Sequence, residues 1–188
     1  MVGKAFPDVP STNIFYLAIS NLAMAGVVNG YDDGLFHPND LLTRAQFAKI
    51  IVLALGKHTD PIDNAAAPTF TDVLYKGSDY PFDFVEEAAR LGIIRGYTDG
   101  SFRPQAKVNR MQLALMLVRA GGSGLATPPA GYALPFTDVP AYAREEVRIA
   151  RYNGLLSGKT ATTFDPFGSA TRGQVAKMVY GLIQALAL

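Results

Sequence analysis

Apolar side chains recur along this chain at helical spacing, in pairs of segments separated by a glycine-rich turn. The first segment, roughly residues 13–25, stops before Gly26, a typical helix C-cap. Its predicted apolar stripe, with the matching positions of two later copies, consists of Ile14, Ala18, Ile19 and Leu22, then Tyr80, Phe84, Val85 and Ala88, then Tyr142, Val147 and Ala150. The pattern predicts a mainly α-helical chain made of helix–turn–helix units.

The second helix of each unit begins with a short motif that occurs three times. Thr or Asn is followed by Arg, and three residues after the Thr or Asn stands Gln, which is the form of a capping box. The copies are Thr43-Arg44-Ala45-Gln46, Asn109-Arg110-Met111-Gln112 and Thr171-Arg172-Gly173-Gln174. Each helix then carries Ala directly after a larger apolar residue, at Ala48, Ala114 and Ala176. We therefore expect the three second helices to pack closely about an approximate threefold axis.

Two further landmarks repeat with the Arg motif. Phe-x-Asp-Val places an aspartate early in each unit, at Asp8, Asp72 and Asp138. A turn of the form Gly-Tyr-x-Asp-Gly-x-Phe-x-Pro starts at Gly30 and Gly96, fourteen residues before the Arg, and its Phe is a predicted core anchor. The third turn keeps Gly158 at the same distance but has Lys159 in place of Tyr, and it lacks Asp-Gly.

The landmarks divide the chain into three repeats, covering residues 6–55, 70–120 and 136–188. The stretches 56–68 and 121–135 are rich in Gly, Pro, Ala and Thr and are predicted linkers. A two-helix unit buries only one face and needs its neighbours. We therefore predict that residues 1–188 form one cooperative module with a pseudo-threefold, three-pronged arrangement.

Composition removes several classes of function. A net charge of +1 gives no basic field for nucleic acid, and the apolar runs are far too short for membrane insertion. The chain has no cysteine, which excludes disulfides and thiolate metal sites. Because the first repeat begins at Phe6 without a signal pattern before it, we expect any export signal to lie outside this sequence.

No catalytic or metal-binding pattern accompanies the repeats. Of the two histidines, His37 is matched by Arg103 and Asp165 in the other copies, so a structural or surface role is expected. Asp32-Asp33-Gly34 lacks the ligand spacing of a calcium loop, and no nucleophile–base pair is present. The sequence therefore predicts no metal, no cofactor and no enzyme activity.

The repeated arginines are the candidate chemistry. Each is expected in the first turn of a helix, where the helix dipole disfavours a cation, so an anion should compensate. A helix N-terminus with free N–H groups beside a guanidinium can bind a carboxylate or phosphate. The alternative is an ion pair with an internal aspartate, for which Asp8, Asp72 and Asp138 are the candidates.

Together these motifs resemble the surface-layer homology (SLH) family, and three tandem copies cover nearly the whole chain. The resemblance implies a three-pronged helical module that binds secondary cell wall polymer in grooves between repeats, with the motif Arg meeting the carboxylate of a pyruvylated sugar. It also implies a secreted protein held non-covalently at the cell surface, with lateral self-association residing in the rest of a larger surface protein. The competing interpretation is a protein–protein self-assembly module without direct glycan binding.

The predicted ligand-binding residues follow the three landmarks. They are Arg44, Arg110, Arg172, Asp8, Asp72, Asp138, Gly30, Gly96, Gly158, Tyr31, Tyr97, Lys159, Tyr80 and Tyr142. Because Lys159 replaces an aromatic on which a sugar could stack, we expect repeat three to form the weaker site. On that basis Arg172 should contribute less affinity than Arg44 or Arg110.

Overall fold

Six α-helices form the protein in the computed structural model, which describes residues 5–57 and 67–188. They are α1 (Tyr16–Met24), α2 (Arg44–Ala54), α3 (Phe82–Arg90), α4 (Arg110–Gly121), α5 (Arg144–Tyr152) and α6 (Arg172–Leu186), with short 3-10 turns at Gly122–Gly124 and Ala141–Ala143. Within the described ranges, β pairing consists of isolated bridges only. The predicted mainly helical fold of three helix–turn–helix repeats is therefore confirmed. His58 lies outside the described residues.

The helices pack most extensively between repeats, in a closed ring. The second helix of each repeat lies against the first helix of the next, giving the pairs α2–α3, α4–α5 and α6–α1. The last pair joins the two ends of the chain and closes the ring. The second helices also meet one another, α6 touching both α2 and α4, and their small residues Ala48, Ala114 and Ala176 are fully buried.

A small hydrogen-bonded ring joins the three repeats just before their second helices. The residue preceding each helix cap donates its backbone N–H to the equivalent carbonyl of another repeat. The three bonds are Leu42 N to Ala170 O (3.2 Å), Val108 N to Leu42 O (3.0 Å) and Ala170 N to Val108 O (3.1 Å). This cyclic pattern places an approximate threefold axis between the repeats, as the three equivalent alanines predicted.

The turn phenylalanines are core anchors, as predicted. Phe36, Phe102 and Phe164 are buried, and each ring lies 5.3–5.6 Å from the Phe that opens its own repeat. That second ring explains the invariant turn glycine, because a Cβ on Gly30 would lie 2.6 Å from Cε1 of Phe6. Gly96 and Gly158 face Phe70 and Phe136 in the same way. These glycines are therefore required for packing.

The first helices are shorter than predicted. The helix expected from Asn13 to Ala25 runs from Tyr16 to Met24, although Gly26 follows its C-cap with φ of +72° as expected. Ile14 was predicted on the buried stripe, and that prediction is wrong, since it precedes the helix and is 75% exposed. Its counterparts Tyr80 and Tyr142 also precede their helices and are exposed.

The three aspartates of the Phe-x-Asp-Val landmark hold the turns in place. Asp8 accepts hydrogen bonds from the backbone N–H groups of Phe36 (2.9 Å) and His37 (2.7 Å), and the other repeats have the same pair of bonds. The second donor in each turn has a left-handed backbone, with φ of 57–60° at His37, Arg103 and Asp165. A carboxylate that accepts two N–H groups stabilises a conformation that a side chain disfavours.

Ring closure between α6 and α1 depends on a match of small and large side chains. Gly173 lies against Phe15, whose ring would meet any added Cβ. The matched positions carry Ala45 with Pro81, and Met111 with Ala143, so a smaller residue accompanies a larger one there as well.

Gly173→Met is therefore expected to lower the free energy of unfolding, because overpacking typically costs about 1–3 kcal/mol. The double variant Phe15→Ala/Gly173→Met copies the Met111–Ala143 pair and should recover most of that loss. Urea unfolding of the two single variants and the double variant measures the coupling. Additive losses in the double variant would contradict this pairing of α6 with α1.

Candidate functional site

All three second helices begin with the predicted capping box. The side chains of Thr43, Asn109 and Thr171 accept from the backbone N–H of the Gln three residues later, and each Gln side chain accepts from the backbone N–H of its cap residue. The arginines occupy the first helical position, as predicted. The capping boxes that the sequence motif predicted are thus confirmed.

The N–H groups of these helix starts are already bound, so the prediction of free donors there is wrong. The backbone N–H of Arg44 donates to Ala106 O (2.9 Å), and that of Ala45 donates to Pro104 O (3.0 Å). Both carbonyls belong to the following repeat, and equivalent bonds are made at Arg110 and Arg172. An anion at this site must therefore interact with side chains.

Each guanidinium reaches into the turn of a neighbouring repeat. Arg44 donates from Nε to Phe102 O (2.8 Å) and from Nη2 to Arg95 O (3.0 Å). The bonds are repeated around the ring, from Arg110 to Phe164 O and Ser157 O and from Arg172 to Phe36 O and Asn29 O. The arginines therefore link neighbouring repeats.

These arginines are cations that form no salt bridge with a carboxylate among the described residues. Arg44 and Arg172 are only 5% and 9% exposed, and Arg110 is partly buried. Burial lowers the pKa of all three, although nearby aspartates oppose the shift through space. In the part of the chain that the structure describes, none of the three has a carboxylate at ion-pair distance. The alternative of a direct ion pair with Asp8, Asp72 or Asp138 is therefore wrong.

Three grooves surround the arginines, one beside each turn. Groove one has a cavity volume of about 240 Å³ and is lined by Val27, Val28, Asn29, Gly30, Tyr31, Gln46, Lys49, Ile50, Tyr80 and Arg172. Groove two, of about 140 Å³, is lined by Arg44, Arg95, Gly96, Tyr97, Gln112, Leu115, Met116 and Arg119. Groove three, of about 250 Å³, is lined by Ile14, Phe15, Arg110, Gly154, Leu155, Leu156, Ser157, Gly158, Gln174, Lys177 and Met178.

The motif arginine in each groove (Arg172, Arg44 or Arg110) comes from a different repeat than the turn beside it. Arg172 lies with Tyr31, its guanidinium carbon 4.6 Å from the ring centroid, and Arg44 lies with Tyr97 at 5.1 Å. Arg110 lies beside the third turn, where its guanidinium carbon lies 4.7 Å from the ring centroid of Phe164 and no tyrosine among the described residues stacks on it. The pairing of Arg172 with the third turn, on which its expected weakness rested, is therefore wrong. The groove that lacks a tyrosine contains Arg110.

The predicted site residues divide into two groups. Those that line grooves are Arg44, Arg110, Arg172, Gly30, Gly96, Gly158, Tyr31, Tyr97 and Tyr80. Those that do not are Asp8, Asp72, Asp138, Lys159 and Tyr142. The aspartates hold the turns instead, the ammonium of Lys159 binds Asp165 (2.7 Å), and Tyr142 is 67% exposed away from groove two.

Sequence reasoning missed four cations that the fold brings to the grooves. Lys49 and Lys177 occupy the same position of helices α2 and α6, three residues after the capping Gln, so the repeat alignment contained a signal for them. Arg95 and Arg119 occur in one repeat only and had no such signal. Each groove thus has at least two cations, and no carboxylate lines any of the three among the described residues.

The geometry defines a class of protein, a ring of three helical repeats with cationic grooves at the repeat junctions. The sequence model of the S-layer homology domain matches residues 5–48, 69–114 and 135–176. The chain belongs to this family, whose domains anchor S-layer proteins and cell-surface enzymes to the cell wall.

Relatives with different names match the chain over the same module. It is 33% identical to an S-layer protein of Bacillus thuringiensis subsp. finitimus and 32% identical to the S-layer protein sap of Bacillus anthracis, in each case over 94% of this chain and 21% of the relative. An endoglucanase of Bacillus sp. (strain KSM-635) is 29% identical over 98% of this chain and 19% of its own length. The chain thus spans about a fifth of these proteins.

The predicted non-catalytic character agrees with this distribution, because the enzymes match through their S-layer homology domains only. None of the helices in the described ranges is long and apolar enough to cross a membrane.

Proposed function

We propose that this module holds a secreted surface protein non-covalently on the cell wall by binding an acidic sugar of the secondary cell wall polymer. The sugar's carboxylate, as in a pyruvate ketal, pairs with the motif arginine of a groove. One observation carries the proposal: a largely buried guanidinium, with no carboxylate partner among the described residues, lines an open groove.

The energetics favour an anionic ligand at that position. A buried charge without a counter-ion is costly, and carbonyl dipoles compensate it only in part. In Arg172 the Nε and Nη2 groups donate hydrogen bonds to backbone carbonyls, and no described group accepts a hydrogen bond from Nη1. A ligand carboxylate can accept from Nη1 and supply the missing negative charge.

The groove walls also suit a sugar. Tyr31 and Tyr80 supply aromatic surface in groove one, and Asn29, Gln46 and Lys49 supply hydrogen-bonding groups around it. An amphipathic sugar ring needs both kinds of surface. The core of a protein–protein interface is depleted in charged residues, whereas each of these grooves contains at least two cations, which favours an acidic glycan over self-assembly.

Binding to purified cell walls tests the proposal. The chain should bind intact walls, and it should lose binding after the wall polymer is extracted or after the acidic substituent is removed. Denaturant should release the bound protein if the attachment is non-covalent. Unchanged binding to polymer-free walls would contradict glycan recognition. Binding to polymer that no longer carries the acidic group would contradict the role assigned to the arginines.

A further inference from the structure

Groove two has a different charge from the other two grooves. It contains three arginines, Arg44, Arg95 and Arg119, whereas grooves one and three each contain one arginine and one lysine. Arg95 occupies the position of Asn29 and Ser157, and Arg119 occupies that of Leu53 and Gly181. The extra cations are therefore particular to repeat two rather than part of the repeated design.

The two additional arginines form no salt bridge with any described residue. Arg119 is half-buried in α4, and no described residue accepts a hydrogen bond from its guanidinium or from that of Arg95. Burial lowers the pKa of Arg119, and the charge of Arg95 lowers it further, while Glu146 opposes the shift. The two cations repel each other, so a ligand that binds both relieves this repulsion.

Groove two is also the smallest, at about 140 Å³ against about 240 and 250 Å³. The segment just before the first helix of a repeat contributes Tyr80 to groove one and Ile14 and Phe15 to groove three. The equivalent Tyr142 does not reach groove two. A small groove with three guanidinium groups suits a compact, multiply charged anion. Guanidinium groups match phosphate oxygens in geometry as well as charge.

We propose that groove two is a phosphate site that takes a phosphate monoester carried by a glycan, whereas grooves one and three take the singly charged carboxylate sugar. The inference rests on the proposed function for the identity of the polymer. The preference of groove two for phosphate stands on its own three arginines. The module would thus bind two different acidic groups, a phosphate monoester and a carboxylate, on one wall polymer.

Amide resonances of the full chain provide a separate readout for each groove, at Gly30, Gly96 and Gly158. The probes are glucose 6-phosphate, inorganic phosphate and glucuronate, each titrated at constant ionic strength. We expect Gly96 to saturate with glucose 6-phosphate at a concentration on the order of tenfold below that of glucuronate. Gly30 and Gly158 should show no such preference.

Two variants replace the extra cations with residues that repeat one already carries. Because the two extra cations share the roughly tenfold phosphate preference at Gly96, Arg95→Asn and Arg119→Leu should each reduce that preference to roughly threefold. The matched control Lys49→Leu installs in groove one the residue that repeat two carries there, and it should leave the Gly96 response unchanged. Circular dichroism confirms that each variant remains folded.

Three results would overturn the inference. The first is an equal response of Gly96 to phosphate and glucuronate. The second is an equal phosphate preference at all three glycines. The third is binding of inorganic phosphate without glucose 6-phosphate, which would indicate a site for a free ion rather than a glycan. If the unmodified chain failed to bind purified cell walls but Gly96 still preferred glucose 6-phosphate to glucuronate, the proposed function would be rejected and the phosphate site would be supported.

Discussion

Arg172→Ala is expected to weaken binding of the acidic wall sugar in groove one by roughly ten- to a hundredfold. The change removes a charge-assisted contact of about 1.5–3 kcal/mol from the groove that contains Tyr31, Lys49 and Tyr80. Arg110→Ala should cost less affinity, because its groove has Ser157 and Gly158 but no tyrosine. This order reverses the expectation from the sequence, in which Arg172 belonged to the weakest site.

Calorimetric titration of the single variants against one defined wall fragment measures this order. The exposed Arg151, in the last turn of α5, is the matched control, and Arg151→Ala should bind like the unmodified chain. A loss at Arg110 equal to or larger than that at Arg172 would show that the tyrosines add nothing to the sites.

The same substitution is expected to reduce stability. Arg172 donates to Phe36 O (2.9 Å) and Asn29 O (2.9 Å), so alanine leaves two carbonyls of repeat one without their donor. The bond to Phe36 O is the buried one of the two, and an unsatisfied buried acceptor costs about 1–3 kcal/mol. Urea unfolding should show this loss, and affinities should therefore be measured where the variant remains folded. The arginine thus has a structural role that the helix dipole alone did not suggest.

Removing repeat three is expected to abolish cooperative folding of the remaining chain. A fragment of residues 1–125 would lose α6, which packs on α1 and touches α2 and α4, and also α5, which packs on α4. It would also leave the donors at the start of α4 without their carbonyl partners. These losses exceed what a domain with the usual net stability of about 5–15 kcal/mol can tolerate.

Thermal and urea unfolding, followed by circular dichroism, test this prediction. The full chain should show one cooperative transition, and residues 1–125 and 1–60 should show none. A sharp transition in either fragment would contradict a single module of residues 1–188. A repeat-by-repeat loss of structure in the full chain would contradict it equally.

The sequence by itself determined the local structure and the family. A capping box joins residues three apart, and the turn anchors and C-cap glycines also act within a few residues, so their patterns are readable without the fold. Tandem copies of these motifs also revealed the three repeats. These elements depend on short-range geometry, which similar copies reproduce wherever they occur in the chain.

Only the tertiary structure decided how the copies combine. Because the repeats share one pattern, sequence alone cannot show whether Arg172 faces the third turn or the first. Ring closure places it against the first turn, and it places the carbonyls of neighbouring repeats on the helix N–H groups that the sequence left free. The aspartates became turn supports, and Lys49, Arg95, Arg119 and Lys177 became groove residues, because each groove combines elements that are distant in the chain and whose relative placement depends on packing.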